Sequence, residues 1–184
     1  QDAHYMSFAD ETAAELRAGQ LIEHLGYFKT RYFLSEAWRI LAPGGRLIIE
    51  TPDIETAFAR FESAGRPSRE RLLQWIYGLE SPGMGHVFCF PRELMEECLA
   101  AHGFAIESAE KTEDEKDNPS LRFTASKKSG LDGEALFCQF RRRLVEKGIA
   151  SFADEVASAA LEELVAALRK AAAPDGKLAD LKNP

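Results

Sequence analysis

The residue types best suited to chemistry in this 184-residue chain sit in two short stretches. Glu23-His24 follow residues 15–22, which read as a strand, and side chains at the carboxyl end of a strand in an open α/β sheet face the ligand crevice. Both are therefore candidate catalytic residues. An imidazole, with a reference pKa of ~6.5, suits taking a proton from a hydroxyl or amine near neutrality. The same ring can equally cap the following helix or bond a backbone carbonyl. The second stretch is Trp75-Ile76-Tyr77 with His86, where an aromatic cluster can hold a sugar or ring, or pack a small subcore. Cys89, Cys98 and Cys138 are an odd number without Cys-x-x-Cys spacing, so neither a disulfide framework nor a zinc site is suggested, and no metal ligand is assigned.

The elements that must position these residues alternate between strand and helix. Phe33, Leu34, Ala37, Trp38 and Leu41 recur at helical spacing over 30–41. Pro43 stops that helix, Gly44-Gly45 allow a tight turn, and Leu47-Ile48-Ile49 mark a buried strand over 46–51, ended by Thr51-Pro52-Asp53. Helical patterns follow at 54–64 and 69–77, separated by Gly65-Arg66-Pro67, and residues 81–85 are expected to form a flexible loop. A helix over 92–102 opens behind Pro91, carries Leu94, Met95, Cys98 and Leu99 on one stripe, and ends at Gly103. Strands at 104–111 and 121–127, joined by the acidic loop 112–119, are expected to pair as an antiparallel hairpin at the sheet edge. Beyond Gly130 the pattern is helical only, with stripes at Leu136, Phe137, Phe140 and Leu144 and at Phe152, Val156, Ala160, Leu164 and Leu168. This predicts an appended helical hairpin, so the chain divides at residues 1–128 and 129–184.

A net charge of −7 argues against a nucleic-acid partner held through phosphates, and Arg141-Arg142-Arg143 fits a solvated helix face. No apolar run approaches the ~20 residues needed to span a bilayer, so no membrane is expected. The absence of a charged-then-apolar leader and the cysteine usage lead to the expectation of a cytoplasmic protein.

The ordered motifs resemble the second half of a class I S-adenosylmethionine-dependent methyltransferase domain. Asp2, Ala3, Met6, Ser7, Phe8 and Asp10 match a segment Asp-Ala-x-x-Leu-Pro-Phe-x-Asp, with Met-Ser in place of Leu-Pro. Gln20-Leu21-Ile22-Glu23-His24-Leu25 match His-x-Leu-Glu-His-Leu, with Gln20 replacing the first His. Further matches are Leu34-x-Glu36-x-x-Arg39-x-Leu41-x-Pro43-Gly44-Gly45, Thr51-Pro52-Asp53, Gly83-Met84-Gly85-His86 with Phe90, and Gly103-Phe104. They span roughly residues 2–128.

The resemblance implies that Asp2 and Ala3 face the adenine of the cofactor, with Gln20 a further cofactor-side position, and that His86, Trp75 and Tyr77 lie in an insert that contacts substrate. It implies a partial Rossmann-like sheet of strand order 4-5-7-6 flanked by helices. The family's Gly-x-Gly-x-Gly loop and ribose-holding acid cannot be located. The expectation is therefore a fragment or truncated form of an S-adenosylmethionine-dependent methyltransferase acting on a small-molecule or glycan acceptor, with weak or no cofactor binding and no activity as this isolated chain. The alternative is a noncatalytic methyltransferase-like binding or assembly module. In the complete fold the strand at 15–22 has a neighbour on each side, so here an open edge, together with the C-terminal helices, is expected to support a homodimer.

Overall fold

A computed structural model describes residue 3, residues 6–114 and residues 116–128. Asp2 and the helical hairpin expected over 129–184 lie outside the described residues. The elements run β1 (Ala13–Gly19), α1 (Ile22–Ile40), β2 (Leu41–Pro52), α2 (Ile54–Ser63), α3 (Arg66–Tyr77), α4 (Arg92–Ala101), β3 (Phe104–Glu113) and β4 (Pro119–Lys127). They build a four-stranded sheet of order β1-β2-β4-β3. β1 and β2 are parallel, joined by α1 as the crossover helix that a parallel pair requires. β4 runs antiparallel to both β2 and β3. This is the expected 4-5-7-6 order, with the 104–127 hairpin at one edge. At the other edge β1 pairs with β2 alone among the described residues.

Burial explains why the pieces cohere. Phe33, Leu34 and Ala37 of α1, Leu47 and Ile49 of β2, Phe123 and Ala125 of β4, and Met95 and Leu99 of α4 form one buried cluster. Each large side chain of this kind contributes about 1.5–3 kcal/mol on leaving water. A smaller cluster joins Ala57 of α2 to Leu72 and Ile76 of α3. Asp53 starts α2, its carboxylate accepting from the Thr56 amide at 3.0 Å and the Thr56 hydroxyl at 2.5 Å.

Element limits differ from the sequence expectation where tertiary contacts intervene. β1 stops at Gly19 instead of running to residue 22, because Gln20 takes the left-handed region at φ 49°. Ile22 then opens α1 and is fully buried. Helix formation thus begins eight residues before the expected start, with a break at Gly26 (φ 77°, ψ 176°) after one turn. A Cβ at Gly26 would stand 2.9 Å from Val87 Cγ1. Pro43-Gly44-Gly45 do not connect helix to strand; they form a bulge inside β2. Pairing passes from Ala13 opposite Leu41 to Glu15 opposite Arg46, so residues 42–45 stand against Ala14 alone. Pro67 does not separate two helices but sits in the first turn of α3, where its missing amide donor costs nothing.

Candidate functional site

Two local devices bring the candidate side chains together. At the first, the left-handed Gln20 turns the chain out of β1 and into α1, so Glu23 and His24 occupy the opening helical turn rather than a strand end. The second is the segment 78–88. Gly78, at φ 76°, leaves α3 where a Cβ would fall 2.2 Å from the Met84 carbonyl oxygen, so no other residue fits without moving the turn. The Leu79 amide donates to Met84 O at 3.0 Å, Met84 N to Ser81 O at 2.9 Å and His86 N to Tyr77 O at 2.9 Å. Residues 81–85, expected as a flexible loop, therefore form a bonded turn. Immediately after it, the Val87 and Phe88 amides donate to the Glu23 carbonyl oxygen at 2.7 and 3.1 Å, tying this segment to the start of α1.

The outcome is a pair of imidazoles beside a buried carboxylate. The His24 and His86 rings meet edge to face, centroids 4.7 Å apart and planes at 81°. His24 Nδ1 lies 3.0 Å from Gly85 O, and His86 Nδ1 lies 3.2 Å from Ile76 O. A carbonyl oxygen only accepts, so on each ring the Nδ1 that faces it carries the proton, and Nε2 is the atom that holds the lone pair whenever the ring is neutral. Burial, then the neighbouring His24, holds the His86 pKa below its usual range and so favours the neutral ring.

Glu23 is fully buried. Its Oε2 accepts from the Thr51 hydroxyl at 3.1 Å, while Oε1 has no hydrogen-bond partner among the described residues. Burial pushes this carboxyl above its ordinary 4.5, against the opposing pull of its own backbone amide, the Thr51 bond and His24. One donor atom from each of Glu23, His24 and His86 lies within 4.8 Å of the others. Cys89 is no nucleophile: burial, with Glu23 nearby, raises its thiol to about 11, and its Sγ donates to Ile76 O at 3.2 Å.

Gln20, His24, Trp75 and His86 line one cavity of about 290 Å³, joined by Arg71, Met84, Lys116 and Asn118. Four of the sequence candidates thus share a pocket, and Glu23 is buried against two of them. Trp75 is held there by its Nε1–H, which donates to Pro119 O at 2.7 Å. Tyr77 is 66% exposed and takes no part in the lining. Ala3 packs half-buried against the main core, and Asp2 lies outside the described residues. Sequence reasoning missed Thr51, Arg71, Lys116 and Asn118. Thr51 carries one readable signal, a hydroxyl at the carboxyl end of a buried strand; the others sit on α3 and the β3–β4 turn with no motif to mark them.

No protein-family model matches the sequence, and no curated protein does. Solved structures do. A protein of Pyrococcus horikoshii is 20% identical with a TM-score of 0.51, covering 70% of this chain and 57% of its own. A complex from Haloferax volcanii, between the Trm112 methyltransferase activator and the protein described as its methyltransferase, is 9% identical with a TM-score of 0.50, covering 71% and 60%. A SAM-dependent methyltransferase of Methanosarcina mazei is 15% identical with a TM-score of 0.49, covering 70% and 65%. The chain spans less than two-thirds of the length of each of these three. Among the described residues no helix is long and apolar enough to cross a membrane. At these identities the likeness is one of fold, and with its β1-β2-β4-β3 sheet the chain has the fold of part of a class I S-adenosylmethionine-dependent methyltransferase domain.

Proposed function

We propose that this chain forms the acceptor side of a methyl-transfer site, with S-adenosylmethionine as donor and a small-molecule or glycan hydroxyl or amine as acceptor. The observation that carries this reading is the convergence of Gln20, His24, Trp75 and His86 on one cavity just past the carboxyl end of β1, where an open α/β sheet takes its ligand. S-adenosylmethionine, when bound, supplies an electrophilic methyl group. His24 is the base: its Nδ1–H is fixed on Gly85 O, so Nε2 is the atom that takes the acceptor's proton. His86 and Trp75 orient the acceptor, and Gln20 lies on the cofactor side.

The test is methyl transfer from labelled S-adenosylmethionine to hydroxyl and amine acceptors, measured on the protein in its full reading frame. His24→Ala is expected to lower kcat by about 10²–10⁴ while leaving KM for the donor little changed; an unaltered kcat overturns the role. This sequence holds no Gly-x-Gly-x-Gly loop. The 184-residue chain alone is therefore expected to bind the donor weakly, and micromolar affinity by calorimetry would contradict that.

A noncatalytic assembly module is the second reading, favoured by β1 pairing with β2 alone among the described residues. It requires a homodimer by light scattering at tens of micromolar together with no transfer in any reading frame.

A further inference from the structure

We propose that Glu23, His24 and His86 form a binding site for a divalent transition-metal ion. Three observations point there independently. The donor set is chemically right: two imidazoles and one carboxylate suit ions such as Zn²⁺, Co²⁺ or Fe²⁺ and leave positions open for a ligand. Geometry is within side-chain reach as well. Donors on one tetrahedral ion with bonds of about 2.1 Å stand about 3.4 Å apart, so atoms already within 4.8 Å of one another need to close by no more than about 1.4 Å.

The third observation is electrostatic. Among the described residues, Glu23 Oε1 is a fully buried acceptor without a hydrogen-bond partner, and Gln20 Oε1, on a residue lining the same cavity, is buried and unpartnered too. The two imidazoles beside them offer ring nitrogens, and a cation is the species that satisfies such a set of acceptors. Supporting contacts are already in place. Each imidazole donates its Nδ1–H to a backbone carbonyl and the carboxylate accepts from Thr51, which is the outer-shell pattern that fixes ring orientation around a metal.

With an ion bound, His24 Nε2 would be a ligand rather than the base, and the ion would draw oxygen or nitrogen atoms of an acceptor molecule into its open positions and make them easier to deprotonate. That role rests on the methyl-transfer reading; the binding itself does not.

The experiment is titration of the untagged full chain with Co²⁺ alone, without donor or acceptor, followed by visible absorption and by calorimetry. One ion per chain is expected, with a dissociation constant at or below ~10 μM and the absorption bands of a nitrogen- and oxygen-ligated Co²⁺. His86→Ala and His24→Ala, both at half-buried positions that leave the main core intact, are each expected to weaken binding at least about 100-fold; Arg92→Ala, at an exposed position on α4 outside the cavity, leaves it unchanged. Far-ultraviolet circular dichroism confirms that each variant is folded, and an unfolded one is replaced by His86→Gln or His24→Gln. No uptake at 100 μM Co²⁺, or uptake that folded His86 and His24 variants retain, overturns the proposal and leaves the ring pair as packing. Metal binding without methyl transfer in the full reading frame upholds this site and removes the methyltransferase reading; transfer without metal binding does the reverse.

Discussion

Glu23 in the first turn of α1 and Glu36 near its last turn are both buried, at 0% and 2% exposure, yet the molecule treats them in opposite ways. Glu36 is enclosed by donors. The Arg39 guanidinium reaches its Oε1 at 3.1 Å and its Oε2 at 3.0 Å, and the Met6 amide adds a bond to Oε2 at 3.1 Å. Arg39 is itself extended onto Asp10, at 2.6 Å, and onto the carbonyls of Phe8 and Met6. The network fastens the segment before β1 to the end of α1. Glu23 has the Thr51 hydroxyl and the pull of its own backbone amide, but no cation, and its Oε1 has no hydrogen-bond partner among the described residues, beside two histidines. A buried charge with complete partners is architecture, and one without them carries a standing desolvation cost that a ligand can relieve. The same helix therefore holds a structural carboxylate at one end and a chemical one at the other.

The largest effect that would break this contrast is expected at Arg39. Arg39→Met leaves Glu36 buried without its cation and should cost about 3–5 kcal/mol in urea unfolding. A loss under about 1 kcal/mol would mean that Glu36 is no better satisfied than Glu23. Next in size, and opposite in sign, is Glu23→Gln. With a chelator present the substitution removes an uncompensated buried charge and should stabilise the chain by about 1–2 kcal/mol. Destabilisation of similar size would show that the Thr51 bond already satisfies the carboxylate.

The smallest sharpens what a fully partnered carboxylate looks like. Burial alone would raise the Asp53 carboxyl, but the Thr56 hydroxyl, the Thr56 amide and the Lys111 ammonium outweigh it and hold the group below its ordinary 3.8. A depressed carboxyl contributes stability that is present above 3.8 and lost as pH falls through the folded value. Asp53→Ala should cost about 1 kcal/mol at pH 7, and its difference from wild type should shrink as pH drops below 3.8. A difference that stays constant with pH would mean the cap acts through shape and not charge.

Much of the fold was legible because its signals are local. The apolar stripe Phe33, Leu34 and Ala37, the Leu47-Ile48-Ile49 run, and the two strands after Gly103 each lie within a dozen residues. Strand order came from the motif resemblance, and the observed sheet has that order. Gln20, His24, Trp75 and His86 were also picked out and do share a cavity. Limits at the site were not legible. Gln20 at φ 49° is an uncommon conformation for a residue with a side chain, and nothing in its neighbours announces it. Pro43-Gly44-Gly45 carries the same turn chemistry whether it links helix to strand or bulges from a strand; the pairing of β1 with β2 decides.

The sequence by itself determined the alternation of elements, because helical and strand periods are written in side-chain spacing, and it placed Glu23-His24 next to a strand end. Only the tertiary structure decided that Gly85 and His86 come back to His24 from 61 and more positions away. Gly78 permits that return by admitting the Met84 carbonyl where a Cβ would stand. The same decision seals Glu23 from water with one oxygen unpartnered among the described residues. Burial and satisfaction depend on what every other segment leaves within reach, and no local spacing encodes that.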